Sequence, residues 1–235
     1  MMDHDVAIVT GGGGDIGRGV CRALSKAGTT VVTLDLDISH ADGADRAIQC
    51  DVRDPAACAG AVEEVVRDFG RVDTLVNLAQ AFVQKPLPEL TDEDMRLVFD
   101  SGPMATLRMM QLCYRHLKRR GGGSIINFAS AAGTQGGIPG LGAYAAAKEA
   151  IRGLSKHAAV EWGPDNIRTN VICPAATSDP NRFGFGKQVA DRNPLRRIGD
   201  PEADIGGVVV FLAGPSSSYI NGRTLHVDGG AGTFR

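Results

Sequence analysis

Apolar and polar positions along the chain follow two alternating rhythms. Short runs of apolar, largely β-branched residues occur at 6–10, 30–34, 47–50, 74–78, 124–128, 168–173 and 224–227, with the length and composition of strands. Between them, at 16–27, 56–69, 104–118, 143–162 and 201–212, apolar residues recur at helical spacing over helical lengths. Strands separated by helices need crossover connections, which give a parallel sheet covered on both faces. No repeat, charge block or Pro/Ser-rich linker divides the chain. The pattern predicts one α/β domain over residues 1–235, a doubly wound, seven-stranded parallel sheet with helices on both faces.

The longest stretch without either rhythm, 175–193, leaves the carboxyl edge of a predicted strand, where open α/β sheets bind ligands. It reads as a lid, centred near 178–193, in which Phe183 and Phe185 would line an apolar pocket while Arg182 and Lys187 read as surface charge.

Composition narrows the functions available. Twenty-five Lys and Arg against 27 Asp and Glu give a net charge of −2, too little positive field for a nucleic-acid partner. No apolar run reaches membrane-spanning length and the first residues lack a signal-peptide pattern, so a cytoplasmic location is expected. Cys21, Cys50, Cys58, Cys113 and Cys173 are odd in number and scattered, which predicts buried thiols rather than a disulfide frame or zinc site. The five histidines form no metal-ligand motif, and no metal is expected. The remaining partner is a small molecule.

The first predicted strand runs into Gly11-Gly12-Gly13-Gly14-Asp15-Ile16-Gly17, and a helix follows. Glycines between strand and helix let backbone N–H groups approach a pyrophosphate at the positive helix end. The order strand, glycine turn, helix therefore predicts a Rossmann-like dinucleotide site. Asp35 closes the second strand, where a carboxylate would accept the adenosine ribose hydroxyls and repel a 2′-phosphate. No Arg or Lys lies in 11–15, so NAD is expected over NADP. Asp37 competes for the ribose role.

Two Tyr-x-x-x-Lys pairs place both side chains on one helix face. Tyr144 and Lys148 follow Ser130 by 14 and 18 residues, and Ser130 ends a predicted strand at its carboxyl edge. Tyr114 and Lys118 sit instead in a basic helical end, suited to a helix surface. Context selects Ser130, Tyr144 and Lys148 as the reactive set.

Taken in order, 10–17, Asp35, Asp51-Val52, 75–77, Ser130, Tyr144 with Lys148, 170–174, 194–195 and Val227-Asp228-Gly229-Gly230 resemble the short-chain dehydrogenase/reductase superfamily over nearly the whole chain. The resemblance implies hydride transfer between NAD(H) and a secondary alcohol or ketone. Tyr144 would be the acid/base, helped by Lys148, with Ser130 on the substrate oxygen. It also implies that Gly11, Gly13, Gly14, Asp15 and Ile16 cradle the pyrophosphate and that Asp51 and Val52 flank adenine. Asn77 and Ala79 would run along the adenosine, and Pro174, Ala175 and Thr177 would face the nicotinamide. Family members commonly self-associate, so a homo-oligomer is expected, a tetramer or a dimer, built on the helices of 104–118 and 143–162.

Six positions depart from the family pattern. Asp15 replaces a turn glycine and reads as a helix N-cap. Leu78 and Gln80 alter an Asn-Asn-Ala-Gly motif, and Gln80 reads either as a substrate contact or as solvent-facing. Gly102 stands at the asparagine of the catalytic tetrad, with Pro103 expected to expose its carbonyl. Ala175 and Asp179 replace a glycine and a threonine near the nicotinamide. These changes leave an alternative function open, a cofactor-binding homologue without turnover.

Overall fold

The chain, seen in a computed structural model, is described over residues 5–135, 139–179, 190 and 193–232. Its seven strands are β1 (Val6–Thr10), β2 (Thr30–Asp35), β3 (Arg46–Gln49), β4 (Thr74–Asn77), β5 (Gly123–Phe128), β6 (Ile167–Pro174) and β7 (Thr224–Val227). They form one sheet in the order β3-β2-β1-β4-β5-β6-β7, with every pairing parallel. The strand order reverses beside β1, where β2 leaves to one side and β4 to the other. That switch point opens a crevice at the carboxyl edge.

Alternation along β1 divides the core between the two faces of the sheet. Val6 and Ile8 pack with Val62 and Val65 of α2 (Pro55–Phe69) and with Met109 and Leu117 of α4 (Ala105–Arg120). Ala7 and Val9 pack with Val20 and Leu24 of α1 (Asp15–Lys26) and with Val209 and Leu212 of α7 (Gly207–Ala213). Both faces are covered, so the strands read as unbroken apolar runs.

Helix starts follow local chemistry. Asp54 caps α2, accepting from the N–H groups of Ala56 and Ala57. Thr91 and Asp94 form a reciprocal capping box at α3 (Asp92–Phe99). Between α3 and α4 the chain makes a π-helical turn over Asp100–Met104 that contains Pro103. A short α5 (Ala131–Gln135) follows β5, and α6 (Gly142–Glu161) carries Tyr144 and Lys148.

All five cysteines are buried free thiols. Among the described residues, no group of three or more His, Cys, Asp or Glu converges as a metal site, and no helix is long and apolar enough to cross a membrane.

Candidate active site

The turn after β1 is held by close backbone approach. Gly11 has φ +75°, and a Cβ there would lie 2.8 Å from the Ala79 nitrogen; at Gly17 a Cβ would fall 2.1 Å from the Gly11 carbonyl oxygen. Side chains at either place would push the turn away from β4 or from α1. Gly14 is the N-cap of α1 and offers no side chain to its free N–H groups. Asp15 is therefore the first helical residue, a correction to its expected place as N-cap.

The Asp15 carboxylate reaches across the crevice. It accepts from Thr177 Oγ1 at 2.6 Å and from the Ser178 backbone N–H at 3.0 Å, and it also bonds Ser178 Oγ. Thr177 thus engages Asp15 and the Asp179 carbonyl oxygen, and it does not line the groove.

Two cavities meet over this turn, sharing Gly11, Gly14, Leu78 and Gln80. The first, about 590 Å³, is lined by Gly13, Asp35, His40, Asp51, Val52, Arg53 and Ala79. Asp35 Oδ2 accepts from the Gly13 N–H at 2.8 Å. Asp37, its rival, turns to its own loop and accepts from the Ser39 N–H at 2.9 Å; hydrogen bonds from the Ser39 hydroxyl and then from that N–H hold its carboxyl below the ordinary value. Asp51 is held by Arg53, with a closest contact of 2.6 Å, and its pKa is lowered chiefly by that hydrogen bond. Arg53 is thereby neutralised at this end of the groove.

Asn77, expected along the adenosine, lines neither cavity. It is buried in the sheet and donates to Asn127 Oδ1 at 2.8 Å, while Asn127 donates to Ser155 Oγ of α6 at 2.8 Å. A buried amide must be paired, and this chain of amides ties β4 to β5 and α6.

The second cavity, about 350 Å³, is lined by Ile16, Phe82, Phe128, Tyr144, Lys148, Pro174 and Ala176. Ala175 lies elsewhere, in a separate cavity with Asn193 and Asp228. Tyr144 shares a hydrogen bond with Ser130 that lowers its pKa, but burial outweighs this and raises it. Lys148 is 3% exposed and donates to the Phe128 carbonyl oxygen at 2.9 Å, with Nζ 5.5 Å from the Tyr144 ring centroid. Burial pulls its ammonium down to about 8. A proton donor and a nearby cation thus converge on one wall, with the Ser130 hydroxyl bonded to the donor, an arrangement able to move a proton to or from a ligand oxygen.

The second Tyr-x-x-x-Lys pair has a structural task. Tyr114 OH donates to Asp165 Oδ2 at 2.6 Å and Lys118 bridges to Asp165 at 3.1 Å.

Gln80 lies where the two cavities meet, and its amide turns to the protein interior. Its Nε2 donates inward to the Val98 carbonyl oxygen at 2.8 Å. Gly102 is buried in the π turn, and its carbonyl accepts from the Ala105 N–H rather than standing exposed. The sequence reading passed over Phe82, whose ring meets Tyr144 edge-on at 5.3 Å while staying 52% exposed. Its signal was an aromatic residue five positions past the carboxyl edge of β4. Of the lid, residues 180–189, 191 and 192, including Arg182, Phe183, Phe185 and Lys187, lie outside the described residues. Its flanks are anchored: Ala176 bridges to Gly199, and Asn193 donates to the Asp228 carbonyl oxygen at 2.8 Å.

The family model described as enoyl-(acyl carrier protein) reductase matches residues 13–232. A 12alpha-hydroxysteroid dehydrogenase of Clostridium sp. is 38% identical, covering 99% of this chain and 98% of the relative. A D-threitol dehydrogenase of Mycolicibacterium smegmatis is 32% identical over 97% of this chain and 93% of the relative. A crystal structure described as a short-chain alcohol dehydrogenase of Sinorhizobium meliloti 1021 superposes with a TM-score of 0.90 at 29% identity, covering 97% and 96% of the two chains.

Proposed function

The chain belongs to the short-chain dehydrogenase/reductase superfamily, whose members bind a nicotinamide dinucleotide, and on that premise we propose that it is an NAD(H)-dependent oxidoreductase interconverting a secondary alcohol and a ketone. The observation that carries this reading is the convergence of Tyr144 and Lys148 in one cavity that opens onto the glycine turn, with Ser130 hydrogen-bonded to Tyr144.

The residues present fit a dinucleotide. The uncapped start of α1 and the close-packed turn at Gly11 and Gly17 leave a concave N–H surface for a pyrophosphate. Asp35 at the first cavity, with Asp37 and Asp51 nearby and Arg53 already paired, favours ribose hydroxyls over a 2′-phosphate. When bound, the nicotinamide supplies or accepts the hydride.

Tyr144 gives a proton to the substrate oxygen in reduction and takes one in oxidation. Ser130 holds that oxygen by a hydrogen bond, and the Lys148 cation favours the phenolate form of Tyr144. Phe82 adds an exposed aromatic wall beside Tyr144. An apolar ring covering it would gain on the order of 1 kcal/mol or more, which favours an alicyclic alcohol, the class named by the hydroxysteroid relative, over a small polyol. Ala146, Gly153 and Val160, at seven-residue spacing on α6, are exposed on one face. That face supports a homo-oligomer, which sedimentation at micromolar concentration would reveal.

Fluorescence titration with NADH and NADPH, followed by a panel of alicyclic and open-chain ketones, tests the reading. Tighter NADH binding with consumption of an alicyclic ketone supports it. NADH binding without turnover of any ketone would favour a cofactor-binding homologue instead.

A further inference from the structure

We infer that Gln80 and Gly102 form a matched pair in which the Gln80 amide fills the space of a side chain at 102 and thereby positions the helix bearing Tyr144 and Lys148. The inference rests on the proposed oxidoreductase function for its catalytic readout.

The pair arises from the break between α3 and α4. Pro103 removes one N–H donor from the π turn, and nearby carbonyls take hydrogen bonds from side chains. The Val98 carbonyl oxygen accepts from Gln80 Nε2 at 2.8 Å and from Ser101 Oγ at 3.4 Å. Ser101 Oγ also accepts from the Ala81 N–H at 3.0 Å. Two neighbouring residues of the loop after β4 are thereby stapled to the end of α3.

The fit of Gln80 requires glycine at 102. A Cβ there would lie 2.2 Å from Gln80 Oε1 and 2.8 Å from its Cδ and Nε2. No side chain at 102 can coexist with Gln80 in this position. Gln80 Oε1 is buried without a hydrogen-bond partner, a cost the site bears to keep the amide there.

The consequence reaches α6 through Val98. That residue is 0% exposed and packs with Ala143 and Ala147, the residues immediately before Tyr144 and Lys148. Close-packed interiors transmit small shifts, so a displaced Val98 moves both reactive side chains. Gln80 is a positioning residue: its contacts run to the π turn, and its effect on proton transfer runs through Val98.

A double-mutant cycle tests the pair. The wild type, G102A, Q80A and Q80A/G102A are compared for kcat and KM in NADH-dependent ketone reduction and for melting temperature. Q80E is added because it keeps the shape of Gln80 and removes the donor to Val98. G102A is expected to lower kcat about tenfold in the wild type and less than about threefold in Q80A. Q80E is expected to lower kcat about tenfold while leaving the KM for NADH within about threefold. Should G102A fail to accumulate while Q80A/G102A folds, the same rescue has been seen. Equal factors for G102A in both backgrounds, or wild-type kcat in Q80E, would overturn the inference. If the wild type reduces no ketone, the functional reading fails on its own, and the pair is still decided by whether G102A lowers the melting temperature only when Gln80 is present.

Discussion

Asp35 owes its position to two backbone contacts, the Gly13 N–H on Oδ2 at 2.8 Å and the Asp37 N–H on Oδ1 at 3.3 Å, which fix its carboxylate at the end of β2. Replacing it with serine removes charge-assisted acceptors for two hydroxyls, each worth about 1.5–3 kcal/mol. D35S is expected to weaken NADH binding and shift the NADH to NADPH affinity ratio by on the order of tenfold or more toward NADPH, read by fluorescence titration. An unchanged ratio would remove Asp35 from cofactor selection. Tyr144 leads to a pH prediction. Burial raises its pKa despite the hydrogen bond with Ser130, so the phenol stays protonated through the neutral range. Ketone reduction should hold its rate there and decline in alkali, while alcohol oxidation climbs as the phenol ionises; steady-state rates across pH in both directions check this. These residues were legible because their role follows from residue type at a strand end or on a helix face. Asn77 and Gln80 were not, because the direction of an amide side chain depends on partners 50 and 18 positions away.

Seven apolar runs became seven strands with no end shifted by more than one residue, since a parallel strand covered on both faces must be apolar throughout. The π turn was not legible. Pro103 marks a break, but whether the chain kinks, widens or ends there depends on what fills the widened turn, and here that is Gln80. The contact between α1 and the strand-end loop was equally hidden. The sequence places Asp15 in the turn, yet only the fold brings Thr177 and Ser178 to it. A carboxylate beside the expected pyrophosphate path costs roughly 1 kcal/mol at high dielectric. D15N is therefore expected to bind NADH about fivefold more tightly, measured by the same titration. Weaker binding would mean that the Asp15 contact with Thr177 and Ser178 helps build the site more than its charge opposes the cofactor.

At the scale of the whole molecule, the burial that shapes the reactive site also costs stability. Lys148 falls to about 8 from an ordinary value of 10.5. Between those values the unfolded chain holds a proton that the folded chain has released, so stability rises with pH across that window. Below it both states are protonated, and a cost of about 3 kcal/mol is present in full. K148M is expected to be more stable than the wild type near neutral pH, by less than that amount because the Phe128 carbonyl loses its donor. Its advantage should shrink toward about pH 10, as denaturant unfolding at the two pH values would show. The same buried lysine, set beside Tyr144, is what the account relies on for turnover. The most direct test mixes the protein with NADH and an alicyclic ketone and follows the loss of reduced nicotinamide absorbance for the wild type and for Y144F. The account predicts steady oxidation by the wild type and a loss of about a thousandfold in Y144F, with NADH affinity retained; equal rates in the two proteins would contradict it.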